Sequence, residues 1–376
     1  MAEKKRSIWT RLYHGETAID FVGRKRIWFA ISILVIAVGL GSLVVRGLNF
    51  GIDFEGGTGW EVPAPGVSVA QARDALRPVG LADAKVQLVG RSPSRLRVEA
   101  DPKGAGVRQE VTERLAKLAK ARVTDVSVDD VGPSWGQEIT NKARNALIVF
   151  LVAITIYITL RFEWKMALAT LAALGHDILV TVGVYSLSGF EVSPATVIAF
   201  LTVLGYSIYD GIVVFDKVEE NTKGLASSGR VTYADMVNLS LNQVLMRSMN
   251  TSITALLPIV SLLVMGRFLG ASTLQDFALA LLVGLGAGAY SSVFIASPLL
   301  AVLKEREPRY ASIRQRVMAR GGGTGILTPA AAAAGGMTTA APIQSDQARP
   351  RPVKAGAPRA QAKRPPPRPR KKGKRR

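Results

Sequence analysis

Six apolar stretches, residues 27–45, 146–160, 166–187, 192–215, 251–266 and 277–303, divide the chain, and most approach the length of a membrane-crossing helix. A helix rises about 1.5 Å per residue, so roughly 20 apolar residues cover the ~30 Å hydrocarbon core of a bilayer. The two shorter stretches reach that length with their flanks. A soluble globular domain is excluded, because it would leave most of this apolar surface in water. The first stretch is too long for a signal peptide, and Arg46 and Asn49 follow it where small residues would mark a cleavage site. It is expected to be a retained helix.

Charge needs reading with position. The formal net charge is +20, from 48 Lys+Arg against 28 Asp+Glu, but residues 349–376 alone carry 13 basic residues and no acid, leaving about +7 for the rest. The high basicity is therefore no sign of a nucleic-acid surface, and no nucleic-acid partner is expected. The chain has no cysteine, which excludes a disulfide framework, a Cys-ligated zinc and a thiol nucleophile. No metal or cofactor is expected. Nor is there a G-x-x-x-x-G-K-[ST] phosphate loop, so a nucleotide-driven motor is not supported.

Basic residues in short loops set orientation. Lys4, Lys5, Arg6, Arg11, Arg24, Lys25 and Arg26 precede the first stretch; Arg161 and Lys165 separate the second and third; Lys217, Lys223, Arg230 and Arg247 lie between the fourth and fifth. Residues 188–191 carry none. Both termini are expected to be cytoplasmic, so the one large loop lies outside. The expected organisation is a cytoplasmic N-terminus (1–26), a first transmembrane helix (27–45), an extracytoplasmic domain (46–140), a five-helix transmembrane bundle (141–305) and a disordered basic cytoplasmic tail (306–376).

The large loop carries 13 basic and 13 acidic residues. Val69, Ala72, Leu76 and Val79 recur at helical spacing, as do Val107, Val111, Leu115 and Leu118, while Val86/Leu88 and Leu96/Val98 alternate as half-buried strands do. The resulting order over residues 58–131 is strand, helix, strand, strand, helix, strand, which predicts a ferredoxin-like α/β domain between helices 1 and 2. Before the fifth stretch, residues 232–246 place Val237, Leu241, Val244 and Leu245 on one face, predicting a helix along the cytoplasmic interface.

Ionisable groups inside apolar helices are costly and usually face a bundle interior or water. His176, Asp177 and Asp210 are such groups. They read either as a proton or ion path or as a buried polar network that pins helix packing. Arg247 begins the fifth stretch at a depth similar to that of Asp210 and is the candidate cation for it, the alternative being a side chain that reaches to the interface. Gly284, Gly288, Ser292 and Ala296 repeat every four residues, a small-residue stripe for close helix packing. His176-Asp177 has no convergent serine nucleophile, and adjacent helical residues point about 100° apart, so an intramembrane hydrolase is disfavoured and no enzyme activity is expected.

Several motifs together resemble one family. Gly51-Ile52-Asp53-Phe54-Glu55-Gly56-Gly57-Thr58 is similar to the G-x-D-F-x-G-G signature of the SecD/SecF protein-export proteins. The third helix has their His-Asp pair at His176-Asp177, and the run from Leu204-Gly205 through Asp210 to Asp216 resembles the fourth-helix motif of the SecF branch. Arg247-Ser248-Met249-Asn250-Thr251-Ser252 matches the entry to its fifth helix. Tyr209 and Gly211 depart from the Asn and hydroxyl residue usual on either side of that Asp. The resemblance implies an accessory subunit of the Sec translocase that resembles half of a resistance-nodulation-division exporter and pairs with SecD as the second six-helix half. It would use the proton-motive force to promote export of polypeptides through the SecYEG translocon, in the cytoplasmic membrane of a bacterium. Asp210, Arg247, Asp177 and His176 would form the proton path, with Asp53, Gly56, Gly57, Gly205, Gly284 and Gly288 as motif and structural positions. The basic tail is expected to meet anionic lipid.

Overall fold

The structure is a computed structural model that describes residues 17, 19–89, 94–101, 104–223, 231–269, 271–319 and 329. Among the described residues, six helices are long and apolar enough to cross a membrane: Lys25–Arg46, Pro133–Arg161, Trp164–Ser188, Pro194–Thr222, Tyr233–Leu269 and Thr273–Glu305. Between the first and second, β1 (Asn49–Phe50), β2 (Gly57–Pro63), β3 (Lys85–Val89), β4 (Arg95–Ala100) and β5 (Ser127–Val131) follow in order, with helices Val69–Leu76 and Ala105–Ala119 after β2 and β4. A last strand, β6 (Glu191–Val192), lies between the third and fourth spans.

Four of the strands form one antiparallel sheet in the order β3-β4-β2-β5. Alternation puts Trp60 and Val62 of β2 and Leu96 and Val98 of β4 on the face covered by the two helices, where Leu76, Val111 and Leu115 complete a closed core. The Trp60 indole N–H donates to the Thr112 hydroxyl at 3.0 Å, so this large buried ring leaves no orphan donor. Ser68 caps its helix with a reciprocal bond to Gln71. The opposite face of the sheet is polar and carries Glu61, Arg95, Arg97 and Glu99.

The GG motif forms the joint between this domain and the second span. Gly56 and Gly57 have φ of 81° and 130°, values that side-chain-bearing residues rarely adopt. A Cβ on Gly56 would lie 3.0 Å from Pro133 Cα, and one on Gly136 would lie 2.7 Å from the Phe54 carbonyl oxygen. The chain thus crosses itself backbone to backbone where the second span begins. β1 and β6 pair in parallel, tying the end of the first span to the third–fourth connection.

Small residues also draw the spans together. A Cβ on Gly39 would come within 2.8 Å of Gly183 Cα, setting the first span against the third. On the sixth span, a Cβ at Gly284 would meet Val203 Cγ1 at 2.5 Å and one at Gly288 would meet Ser207 Cβ at 2.9 Å. The fourth and sixth spans therefore approach closely within this one chain, which brings their serine hydroxyls within reach of the third span.

Two segments differ from the sequence expectation. Residues 232–246 do not lie as a separate interfacial helix; they are the first part of one continuous helix, Tyr233–Leu269, and both their faces are covered. The polar face is occupied because Asn238 Oδ1 accepts the backbone N–H groups of Phe21 and Val22, each at 3.0 Å, and Asn242 bonds Ile19. The tail expected to be without structure from residue 306 begins instead with a helix, Pro308–Ala319. It buries Ile313 and Val317, and the Tyr310 ring stands 4.8 Å from that of Tyr233. The basic run at 349–376 lies outside the described residues, as do Lys4, Lys5, Arg6, Arg11 and Arg230.

Candidate functional site

Asp177 is the centre of a buried polar cluster between four spans. It is 1 % exposed, and its Oδ2 accepts from the hydroxyls of Ser207 at 2.5 Å and Ser291 at 2.9 Å. Its Oδ1 lies 3.0 Å from Nδ1 of His176. Nε2 of the same ring lies 3.1 Å from the Ser32 hydroxyl, which is 3.3 Å from the Tyr290 hydroxyl; that group in turn donates to the Trp28 carbonyl at 3.2 Å. The first, third, fourth and sixth spans each supply a member.

This chain of groups has two proton arrangements, because Ser32 has a single hydrogen for two neighbours. If it donates to His176 Nε2, the ring holds its own proton on Nδ1 and donates to Asp177. If it donates to Tyr290, its oxygen accepts from a protonated Nε2, and Nδ1 then donates to Asp177 only when the ring is cationic. With a cationic ring the second arrangement holds one proton more than the first, so a proton must be gained or lost to pass between them; with a neutral ring the two are the two imidazole tautomers. The sixth span has a π-helical turn, Ser292–Ala296, immediately after Ser291. Such turns reorient a helix locally and recur at functional sites.

Asp210 stands apart from that cluster. It is half-buried on the fourth span, and both carboxylate oxygens lie 2.9 Å from the hydroxyl of Ser248 on the fifth. Arg247 is exposed and makes no ion pair with Asp210 among the described residues. Neighbours on a helix point about 100° apart, so a helix that turns Ser248 toward Asp210 turns Arg247 away from it. The fourth span continues to Thr222, which places Asp210 about 18 Å from that end of the helix. Asp210, Ser207, Tyr206, Tyr209 and Gly288 line one narrow crevice. Ser207 therefore touches both carboxyl sites: it donates to Asp177 and shares a crevice with Asp210.

The motif positions have different surroundings. Gly56 and Gly57 form the joint described above, and Asp53 lies beside it, its carboxyl held above the usual range by burial and lowered in part by Arg97. Gly284 and Gly288 are close-contact positions, whereas a Cβ at Gly205 would meet nothing within 4 Å. Sequence reasoning missed Ser32, Ser207, Ser248, Ser291 and Tyr290. The signal for two of them was present: Ser207 lies one helical turn before Asp210, and Ser291 precedes the small-residue position Ser292.

Six spans with one small α/β domain between the first two, and carboxyls inside the third and fourth, define a multi-pass membrane protein. Residues 110–306 match the protein-export membrane protein SecD/SecF C-terminal family, and residues 41–58 match the SecD/SecF GG motif. The chain is 45 % identical over 318 residues to protein translocase subunit SecF of Streptomyces coelicolor, covering 84 % of each. It is 42 % identical over 324 residues to the subunit of that name from Mycobacterium tuberculosis, covering 84 % of this chain and 73 % of that one. Among solved structures, SecDF of Thermus thermophilus, described as a translocon-associated membrane protein, shares 38 % identity with a TM-score of 0.70 over 78 % of this chain and 39 % of its own. The chain belongs to the SecD/SecF protein-export family. It spans about two fifths of the length of that solved SecDF chain.

Proposed function

We propose that the chain is a SecF-type accessory subunit of a bacterial Sec translocase, pairing with a SecD-type second half and drawing on the proton-motive force to promote export of polypeptides through SecYEG. The observation that carries this reading is Asp210: a carboxyl inside a spanning helix, half-buried, held among the described residues only by a neutral hydroxyl, on a face those residues do not cover. Tyr209 is 53 % and Tyr206 40 % exposed beside it, and Arg247 is exposed nearby. A second six-helix half laid on this face would close the crevice and bury the carboxyl fully. The relatives named SecF, and the SecDF chains of which this chain covers about two fifths, support the same assembly. One elementary charge crossing 100 mV is worth about 2.3 kcal/mol, enough to shift a two-state equilibrium roughly fifty-fold.

In this reading the role is transport and not catalysis. The strand order β3-β4-β2-β5, all antiparallel, suits a ferredoxin-like domain placed on the extracytoplasmic side, with both termini cytoplasmic. The basic run at 349–376 would meet anionic lipid at about 1 kcal/mol per residue near the surface. Two measurements test these points. An export-dependent reporter should be active when fused after Gly132 and inactive after Ala319; the reverse would overturn the orientation. Purification from native membranes without crosslinking should carry along a second six-helix protein of SecD type, and recovery of the chain alone would remove the pairing.

A further inference from the structure

Where the polar face of the outer sheet meets the bundle, buried acids outnumber buried cations. β4 contributes Arg97 and Glu99, the third–fourth connection contributes Glu191, and the outer end of the sixth span contributes Asp276. The three acids are 5 %, 3 % and 8 % exposed. Arg97 Nε lies 3.0 Å from Glu99 Oε1, and its Nη2 lies 3.5 Å from Glu191 Oε1. One guanidinium thus faces three buried carboxyls. Glu191 Oε2 is buried without a hydrogen-bond partner among the described residues, although the Glu99 carboxyl lies within hydrogen-bonding reach of the Glu191 carboxyl. Two carboxylates repel; a single proton between them supplies the missing donor and removes one charge.

We propose that Glu99 and Glu191 form a proton-binding site between the outer domain and the membrane bundle, which seats the domain when it holds a proton and releases it when it does not. Lys85, opposite Glu99 across β3 and β4, is a second and weaker cation for the pair, and its ammonium is bonded elsewhere. Lys85 donates to the Phe50 carbonyl at 2.7 Å and to Glu55 at 3.3 Å. Glu61 pairs with Arg95 at 2.6 Å, and Asp53 and Asp276 are further carboxyls near Arg97. Burial pushes the Glu99 carboxyl up to about 7 from an ordinary 4.5; the Glu191 charge adds to the rise and Arg97 opposes it. Its seated value is the raised one. The seating contribution is therefore complete below pH 4.5 and disappears as pH rises through about 7. Across that range the seated-to-released ratio should fall by about 300-fold. The proposal uses the outward placement of the domain only for its physiological sense, since an energised membrane is acidic outside; the pH response itself does not depend on it.

The absence of native cysteine makes the test direct. Cysteines placed at the exposed positions Lys117, on the outer domain, and Met265, on the fifth span, take a pair of spin labels in the full chain in lipid nanodiscs. Distance distributions should show one short, narrow population at pH 5.5 and a second, longer one growing in with a midpoint near 7. Glu99→Gln has the shape of the protonated acid and should keep the short population at every pH, as should Glu191→Gln. Asp210→Asn should leave the transition unchanged, which separates this site from the proposed transmembrane one. A pH-independent distribution in the parent protein, or a Glu99→Gln variant that retains the parent transition, would overturn the proposal.

Discussion

Asp177→Ala should cost the bundle about 2–4 kcal/mol and reduce the yield of folded protein. The carboxyl is 1 % exposed, accepts from two serine hydroxyls and lies 3.0 Å from a histidine ring nitrogen. Removing it strands those donors in hydrocarbon surroundings and leaves a void where four spans meet. Ser291 retains a 3.3 Å contact with the Gly288 carbonyl, so part of the loss is recovered by bonding back to the helix. His176 has no such alternative on its Nδ1 side. Asp177→Asn keeps one acceptor oxygen and should be milder. The check is the concentration of sodium dodecyl sulfate needed to unfold the protein in mixed micelles. Equal resistance of Asp177→Ala and the parent would show that close glycine packing alone holds these helices.

How far the sequence discloses such a site depends on what kind of contact makes it. All six spans are visible as apolar runs, because a bilayer demands about 20 apolar residues wherever a helix crosses. Both helices of the α/β domain and the strands of its sheet are visible because periods of 3.6 and 2 distinguish them. Periodicity marks that a face is covered without saying by what. Val237 and Leu241 mark a covered face equally well on a membrane-surface helix and on a buried one, and only the bonds from Asn238 to Phe21 and Val22 show which it is. The β1–β6 pair is two residues on each side and 140 residues apart, too short and too distant to leave a pattern.

The carboxyls themselves are legible because charge in an apolar helix is rare; their partners are not. Serine is compatible with a membrane helix whether or not it binds anything, since its hydroxyl bonds to its own helix four residues back, as Ser252 does. Depth along the helix favoured Arg247 as the partner of Asp210, but rotation about the helix axis favours Ser248. That angle follows from how the fourth and fifth spans pack, which no local pattern records.

Asp210→Asn should have the largest effect on function. The amide keeps the size and one acceptor oxygen for Ser248, so the bundle and its assembly with a SecD-type half should survive. What disappears is the ability to take up and release a proton. Among the described residues no cation pairs with Asp210, so exchange would be governed by how far the carboxyl is desolvated and by whether Arg247 swings toward it when a second half covers the crevice. Arg247→Met should impair the same step without altering the isolated bundle, because that side chain is exposed here. Tyr209 and Gly211 flank the carboxyl: Tyr209 lines the crevice and is exposed, whereas Gly211 is buried.

The most direct measurement is proton-dependent completion of export in vesicles reconstituted with the Sec channel, its ATPase and this chain together with its SecD-type partner. A partly translocated polypeptide is allowed to finish after ATP is removed, with and without an imposed proton gradient that is acidic on the side of the outer domain. The parent protein should finish faster by tenfold or more with the gradient, while Asp210→Asn should show the same slow rate in both conditions and still co-purify with its partner. Equal stimulation of Asp210→Asn and the parent by the gradient would contradict the account and leave Asp210 a packing residue.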